Sequence, residues 1–174
     1  DGDWLYHGVI DSREDPTLPG DFMGYLYRSG LDGSRMALVA SFSLEYQRRS
    51  VPWRPWRSTP YYRVNDPYRA EAGQPLLSDI VFRPDGDLVI GLRDRTIDMR
   101  LDLELHQSSQ GDILPTSRVD EGWRVLVDAA QPYDDGTRYN PRDAVQGMLA
   151  AVADRDVVVA TASGVDQTPD RRRP

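Results

Sequence analysis

The 174-residue chain has no cysteine, no lysine, only two histidines and no long apolar run. Without cysteine there is no disulfide and no thiolate metal site, and His7 and His106 alone cannot build an all-histidine cage. The apolar stretches fall far short of the roughly 18 residues that mark a membrane-spanning helix. All 21 basic residues are arginine, a bias that a GC-rich genome accounts for, and 28 acidic residues outnumber them to a net charge of −7. That balance argues against nucleic acid as a partner, because such binding draws its affinity from many neutralised phosphates. There is no P-loop, G-x-G-x-x-G, G-x-S-x-G or H-E-x-x-H pattern, so no cofactor is expected. The sequence opens on Asp1 with no basic-then-apolar leader, and the expectation is a piece of a longer protein.

What is present reads as strands and turns. Trp4–Ile10 is rich in β-formers. Phe22–Tyr27 and Met36–Leu44 flank Ser29-Gly30-Leu31-Asp32-Gly33, a glycine-bearing reversal suited to a hairpin. Asp79–Phe82 and Leu88–Leu92 enclose Arg83-Pro84-Asp85-Gly86-Asp87, where proline presets φ and glycine accepts a positive φ. Gly111–Val119 and Trp123–Val127 surround Asp120-Glu121-Gly122, and Val157–Thr161 is a short buried strand. Pro141–Ala153 conflicts with this pattern. Asn140-Pro141 resembles a helix start, and Val145, Met148, Leu149 and Val152 fall on a helical stripe.

Asp1-Gly2-Asp3-Trp4-Leu5 aligns with Asp85-Gly86-Asp87-Leu88-Val89 at an offset of 84, and the latter aligns with Asp154-Arg155-Asp156-Val157-Val158 at 69. Both offsets exceed the roughly 40–50 residues of a propeller blade. The excess is assigned to two polar, proline-containing insertions, residues 47–75 and 129–140. The fold class expected is all-β: a partial β-propeller over residues 1–166, an incomplete ring of antiparallel blades, with a disordered tail at 167–174.

Several segments resemble a bacterial family. Leu77–Phe82 followed by Asp85–Arg95 is similar to a signature of large secreted or surface-anchored proteins. These carry a β-propeller-like region beside SdrD B-like, immunoglobulin-type repeats. Tyr25–Arg28, Phe42–Tyr46, Trp53–Arg57, Gly111–Leu114 with Trp123, and Gly147–Leu149 with Val157–Val159 are similar in the same order. The chain departs from the family in having Trp4 almost at its start and Ile97-Asp98 where a glycine-aspartate pair is usual. Tandem immunoglobulin-type domains and a cell-wall anchor are also missing from it. The resemblance implies a secreted or cell-surface setting and remaining blades of a longer chain as partners. It also implies a strand at Met148–Val152, which is preferred over the helix because Val157–Thr161 needs a partner.

Two clusters are candidate ligand sites. Arg93, Asp94, Arg95 and Asp98, joined by Asp79, follow a strand expected to lie inside its blade. Two guanidinium forks and the carboxylates there suit an acidic or hydroxyl-rich group, and a blade-joining ion network uses the same residues. Trp53, Arg54, Trp56 and Arg57 belong to a stretch with six arginines between residues 47 and 69 against Asp66. Aromatic faces there suit a glycan or a nucleic-acid single strand, and the alternative is an ordered insertion whose tryptophans pack over the blade edge. The aspartate pairs at 1/3, 85/87 and 154/156 fit hairpin turns better than calcium, which needs six to eight oxygens. The function expected is a non-enzymatic surface scaffold or adhesion module holding a glycan or a surface protein. The alternative is a propeller-type polysaccharide hydrolase or lyase that uses Asp94 or Asp98 with Arg93 and Arg95.

Overall fold

The computed structural model describes residues 3–15, 17, 19–48, 51–99, 111–127, 145–151 and 158–162. Among the described residues the only helix is a 3-10 segment, Arg95–Met99; the remaining elements are strands. Strands β1 (Trp4–Ile10), β2 (Met23–Gly30) and β3 (Ala37–Ser43) form one antiparallel meander. Strands β4 (Tyr61–Arg63) and β5 (Asp66–Ala72) form a hairpin between the two sheets in sequence. Strands β6 (Pro75–Phe82), β7 (Leu88–Asp94), β8 (Asp112–Val119) and β9 (Gly122–Val125) form a second meander, in the order β6-β7-β8-β9. Strands β10 (Val145–Ala151) and β11 (Val158–Ala162) pair antiparallel.

The reversals follow from local chemistry. Between β6 and β7, Gly86 takes φ +88°, while the Asp85 carboxylate accepts the Asp87 backbone N–H at 3.1 Å. Between β2 and β3, Gly33 takes φ +79° and Asp32 accepts the backbone N–H of Ser34. Both aspartates make the short side-chain-to-backbone bond that favours a turn over a strand ladder. In β2, Gly24 stands opposite Phe42, and a Cβ on Gly24 would lie 2.4 Å from the phenyl ring. The ring thus occupies the space the glycine leaves and covers its backbone, so the missing side chain becomes core packing.

One apolar core lies between the two meanders. Leu26, Phe42 and Leu44 come from the first, and Leu88, Ile90, Leu92, Leu114 and Trp123 from the second. Tyr6, Phe82 and Trp123 meet edge to face at centroid distances of 4.9–6.1 Å, which ties β1, β6 and β9 together. Strand β7 is buried on both faces from Leu88 to Leu92, and its sequence is accordingly a continuous apolar run instead of an alternating one. The core covers one of these faces, and β10 also lies against β6 and β7.

One of the two sheets curls as a half-barrel, and the two meet along both edges, β3 against β9 and β1 against β6. Glycine makes each approach close. A Cβ on Gly122 would sit 2.3 Å from the Val39 carbonyl oxygen, and one on Gly8 would sit 2.3 Å from the Leu77 side chain. Leu77 can rotate, but the Val39 backbone cannot. Gly122→Ala is therefore expected to cost about 1–3 kcal/mol, the range for overpacking a tight site. Gly8→Ala should cost less, and chemical denaturation of the two variants checks the order.

The all-β expectation holds, and the expected strands correspond in order to β1, β2, β3, β6, β7, β8, β9 and β11. A full propeller is not confirmed among the described residues, whose two antiparallel sheets share one core. Residues 145–151 are strand, as the resemblance implies, and not the helix their local periodicity suggests. Pairing with β11 and contact with β6 and β7 outweigh that periodicity. The described part of the expected insertion at 47–75 is packed structure. The expected insertion at 129–140 and the tail at 167–174 lie outside the described residues.

Candidate functional site

The residues richest in chemistry gather where the segment after β3, the end of β7 and the start of β8 meet. Tyr46, Arg48 and Trp53 come from the first, Asp94 from the second and Asp112 from the third. The Asp112 carboxylate accepts the Tyr46 hydroxyl at 2.6 Å and the Arg48 Nε–H at 3.1 Å. The Trp53 indole N–H donates to the Tyr46 oxygen at 3.1 Å. Arg48 also donates to the carbonyls of Val51 and Gly111, each at 2.7 Å, and its guanidinium stacks 3.6 Å from the centre of the Trp53 ring. Burial, and next the negative charge on Asp112, push the Tyr46 hydroxyl well above its ordinary value, so the phenol stays a donor.

A second network centres on Gln74. Asp94 accepts the backbone N–H of Gln74 at 3.0 Å and of Thr96 at 2.9 Å, both on one carboxylate oxygen. The Gln74 side-chain oxygen accepts the backbone N–H of Arg57 at 2.7 Å and the Arg95 guanidinium at 3.0 Å. Arg95 stacks 4.4 Å from the Trp56 ring centre, and the Trp56 indole donates to the Pro75 carbonyl at 2.7 Å. Burial raises the Asp94 carboxyl above its ordinary value, against the Thr96 hydroxyl, the two backbone N–H groups and Arg48, which all lower it.

Most residues of the two sequence-derived clusters therefore serve the fold. Asp94 is 1% exposed and Trp53 is 3% exposed. Arg57 donates to the carbonyls of Thr59 and Pro60 and stacks 3.5 Å from the Tyr61 ring centre. Asp79 is part-buried in β6 and accepts the Ile80 backbone N–H at 2.8 Å; it pairs with Gly91, four residues along the strand from Pro75, which pairs with Asp94. Arg93 is half-buried in β7, and the side chain of Asp98 lies outside the described residues. The two clusters do meet, through Gln74, which joins Arg95 to the Arg57 backbone. Tyr46, Arg48, Gln74 and Asp112 were not among the sequence-derived site residues. The available signal for Asp112 is a charge that opens a strand directly before the apolar Ile113-Leu114-Pro115.

Arg54 is exposed, as Arg57 is, and stands over a groove of about 210 Å³ lined by Arg13, Asp21, Phe22, Glu45 and Pro55, with Gly20 and the buried Trp53 completing its wall. Among the described residues no three His, Asp or Glu side chains form a metal-ligand group, and no helix is long and apolar enough to cross a membrane. Comparison of the chain with family models, curated proteins and solved structures finds no match, so fold and side-chain geometry carry the functional reading.

Proposed function

We propose that the chain is a non-catalytic binding module, a scaffold or adhesion unit of a secreted or surface-displayed bacterial protein, that holds a glycan or a surface protein. The burial of Asp94 carries this reading. The hydrolase or lyase alternative needs an acid or base that reaches substrate, and this carboxylate is enclosed by the backbone it caps. The outer face of the first sheet supports association. Val9, Tyr25 and Ser41 form one cross-strand row, and His7, Tyr27 and Leu38 form the next. Leu5, Val9 and Leu38 on this face are each more than two-fifths exposed. The blade-like arrangement and the remaining blades of a longer chain belong to the same proposal. Their support is the up-and-down order β6-β7-β8-β9, the strand order of a four-stranded blade.

Asp94→Asn tests the reading. Asparagine keeps an oxygen for the two backbone N–H groups and removes the charge. The folded-state pKa is raised, so the native protein holds the proton more tightly than the unfolded chain does. Stability from this group is therefore present at acid pH and is lost as pH rises through the raised value. The variant should lack that decline and be at least as stable as the parent at neutral pH, as thermal melts across a pH series will read. Polysaccharides incubated with either protein should release no new reducing ends or unsaturated uronates. Cleavage by the parent that Asp94→Asn abolishes without moving the melting temperature would overturn the proposal. Failure to retain any ligand on glycan and surface-protein arrays would count against it equally.

A further inference from the structure

We propose that the groove between Arg13 and Arg54 is a saccharide site, selective for an uncharged, hydroxyl-rich sugar. It rests on the binding-module reading and assigns that module a ligand class and its contact residues.

The walls of the groove are fixed. The Leu44 backbone N–H donates to the Phe22 carbonyl at 2.9 Å, Trp56 to Ser12 at 2.7 Å and Arg54 to Gly73 at 2.8 Å. These bonds hold three separate segments side by side, and Gly73 also abuts the buried Trp53 ring. The Arg13 wall is strained. Arg13 takes φ +48° and Gly20 takes φ +120°, and the Arg13 guanidinium donates to the Gly20 carbonyl. A non-glycine residue in the left-handed region persists only where its surroundings over-determine it, and such positions gather at ligand sites.

Three of the charged groups lining the groove are uncommitted. The side chains of Arg54, Asp21 and Glu45 are exposed and make no hydrogen bond or ion pair among the described residues. A sugar hydroxyl both donates and accepts, so a guanidinium beside carboxylates satisfies both roles with charge-assisted bonds. Two arginines and two carboxylates also cancel, which leaves no net field to draw a uronate or a phosphate. Pro55 supplies an apolar surface for the C–H face of a sugar ring. The groove is smaller than the pockets that take drug-sized ligands, which suits one ring better than a long chain.

The experiment is a titration of the isotope-labelled chain with cellobiose, xylobiose, mannobiose and galactobiose, and with a glucuronate-containing disaccharide. Binding is read by amide chemical shifts and calorimetry. At least one neutral disaccharide should saturate, with shifts concentrated at residues 20–22, 45 and 53–55. Arg54→Ala and Glu45→Gln should each weaken it by about tenfold or more, the worth of a hydrogen bond to a charged group. Both side chains are exposed, so the melting temperature should hold. Arg124→Ala, at an exposed position of β9, should change nothing. Stronger binding of the glucuronate disaccharide would overturn the ligand class. Shifts confined to the outer face of β1–β3, with affinity unchanged in both variants, would overturn the groove while leaving the binding-module reading intact. No saturation by any sugar would overturn the groove as well, and retention of a surface protein would then still uphold the module.

Discussion

Arg48→Met should lower the unfolding free energy by about 3–5 kcal/mol, the cost of leaving a buried partner charge uncompensated. The Arg48 side chain is 2% exposed and that of Asp112 is 4% exposed. Water cannot replace the lost guanidinium at Asp112, and the carbonyls of Val51 and Gly111 lose a charged donor at the same time. Methionine fills much of the volume, so the loss reads electrostatics and hydrogen bonding more than a cavity. Tyr46→Phe should cost less, about 1–3 kcal/mol, because Asp112 keeps Arg48 while the Trp53 indole loses its acceptor. The combined variant should fall short of the sum, since both residues act on one carboxylate oxygen. Urea denaturation midpoints at constant slope check all three values. A loss for Arg48→Met no larger than that of a surface ion pair, about 1 kcal/mol or less, would mean that the site is wet.

The strands were legible because their signals are local. β1 is bounded as its β-forming residues suggest, and the Pro84-Asp85-Gly86-Asp87 reversal falls where proline and glycine chemistry put it. β10 shows where local signals stop, because its helical stripe has no knowledge of β11 or of the sheet beneath it. The closure of the two sheets was not legible. It depends on Gly8 and Gly122 being glycines at two particular edges, and a sequence shows glycines without showing what approaches them. The candidate site was half legible. Arginine, tryptophan and aspartate stand close together in sequence, but which of them face inward is decided by partners far along the chain. Tyr46 and Asp112 are 66 residues apart. Asp94 looks like a ligand group at a strand end until the backbone of Gln74 and Thr96 is placed around it. Arg54 and Arg57 each follow a tryptophan, yet one lines a groove and the other binds its own loop.

Trp53→Ala should be as damaging as the loss of Arg48, about 3–5 kcal/mol, the range for truncating a large buried aromatic. The indole fills the space between Arg48 and Gly73. A Cβ on Gly73 would lie 2.7 Å from the ring, so glycine is what admits it, and the two residues form a parallel bridge. Removing the ring takes away the stacking surface of Arg48 and a donor to Tyr46 together. The ion pair beneath would then be open to water from the groove side, where Trp53 forms part of the wall. Trp53→Phe keeps the stack and loses only the N–H, and should cost about 1 kcal/mol. Trp56→Ala should cost less than Trp53→Ala, because Trp56 is half-buried and its side chain makes one hydrogen bond, to the Pro75 carbonyl. Melting curves on the three variants give the order. A tryptophan that existed to stack on a ligand would behave the other way, losing binding while stability held. If Trp53→Ala leaves the melting temperature in place, the packed-insertion account of residues 51–75 fails, and the indole belongs to the ligand instead of to the fold.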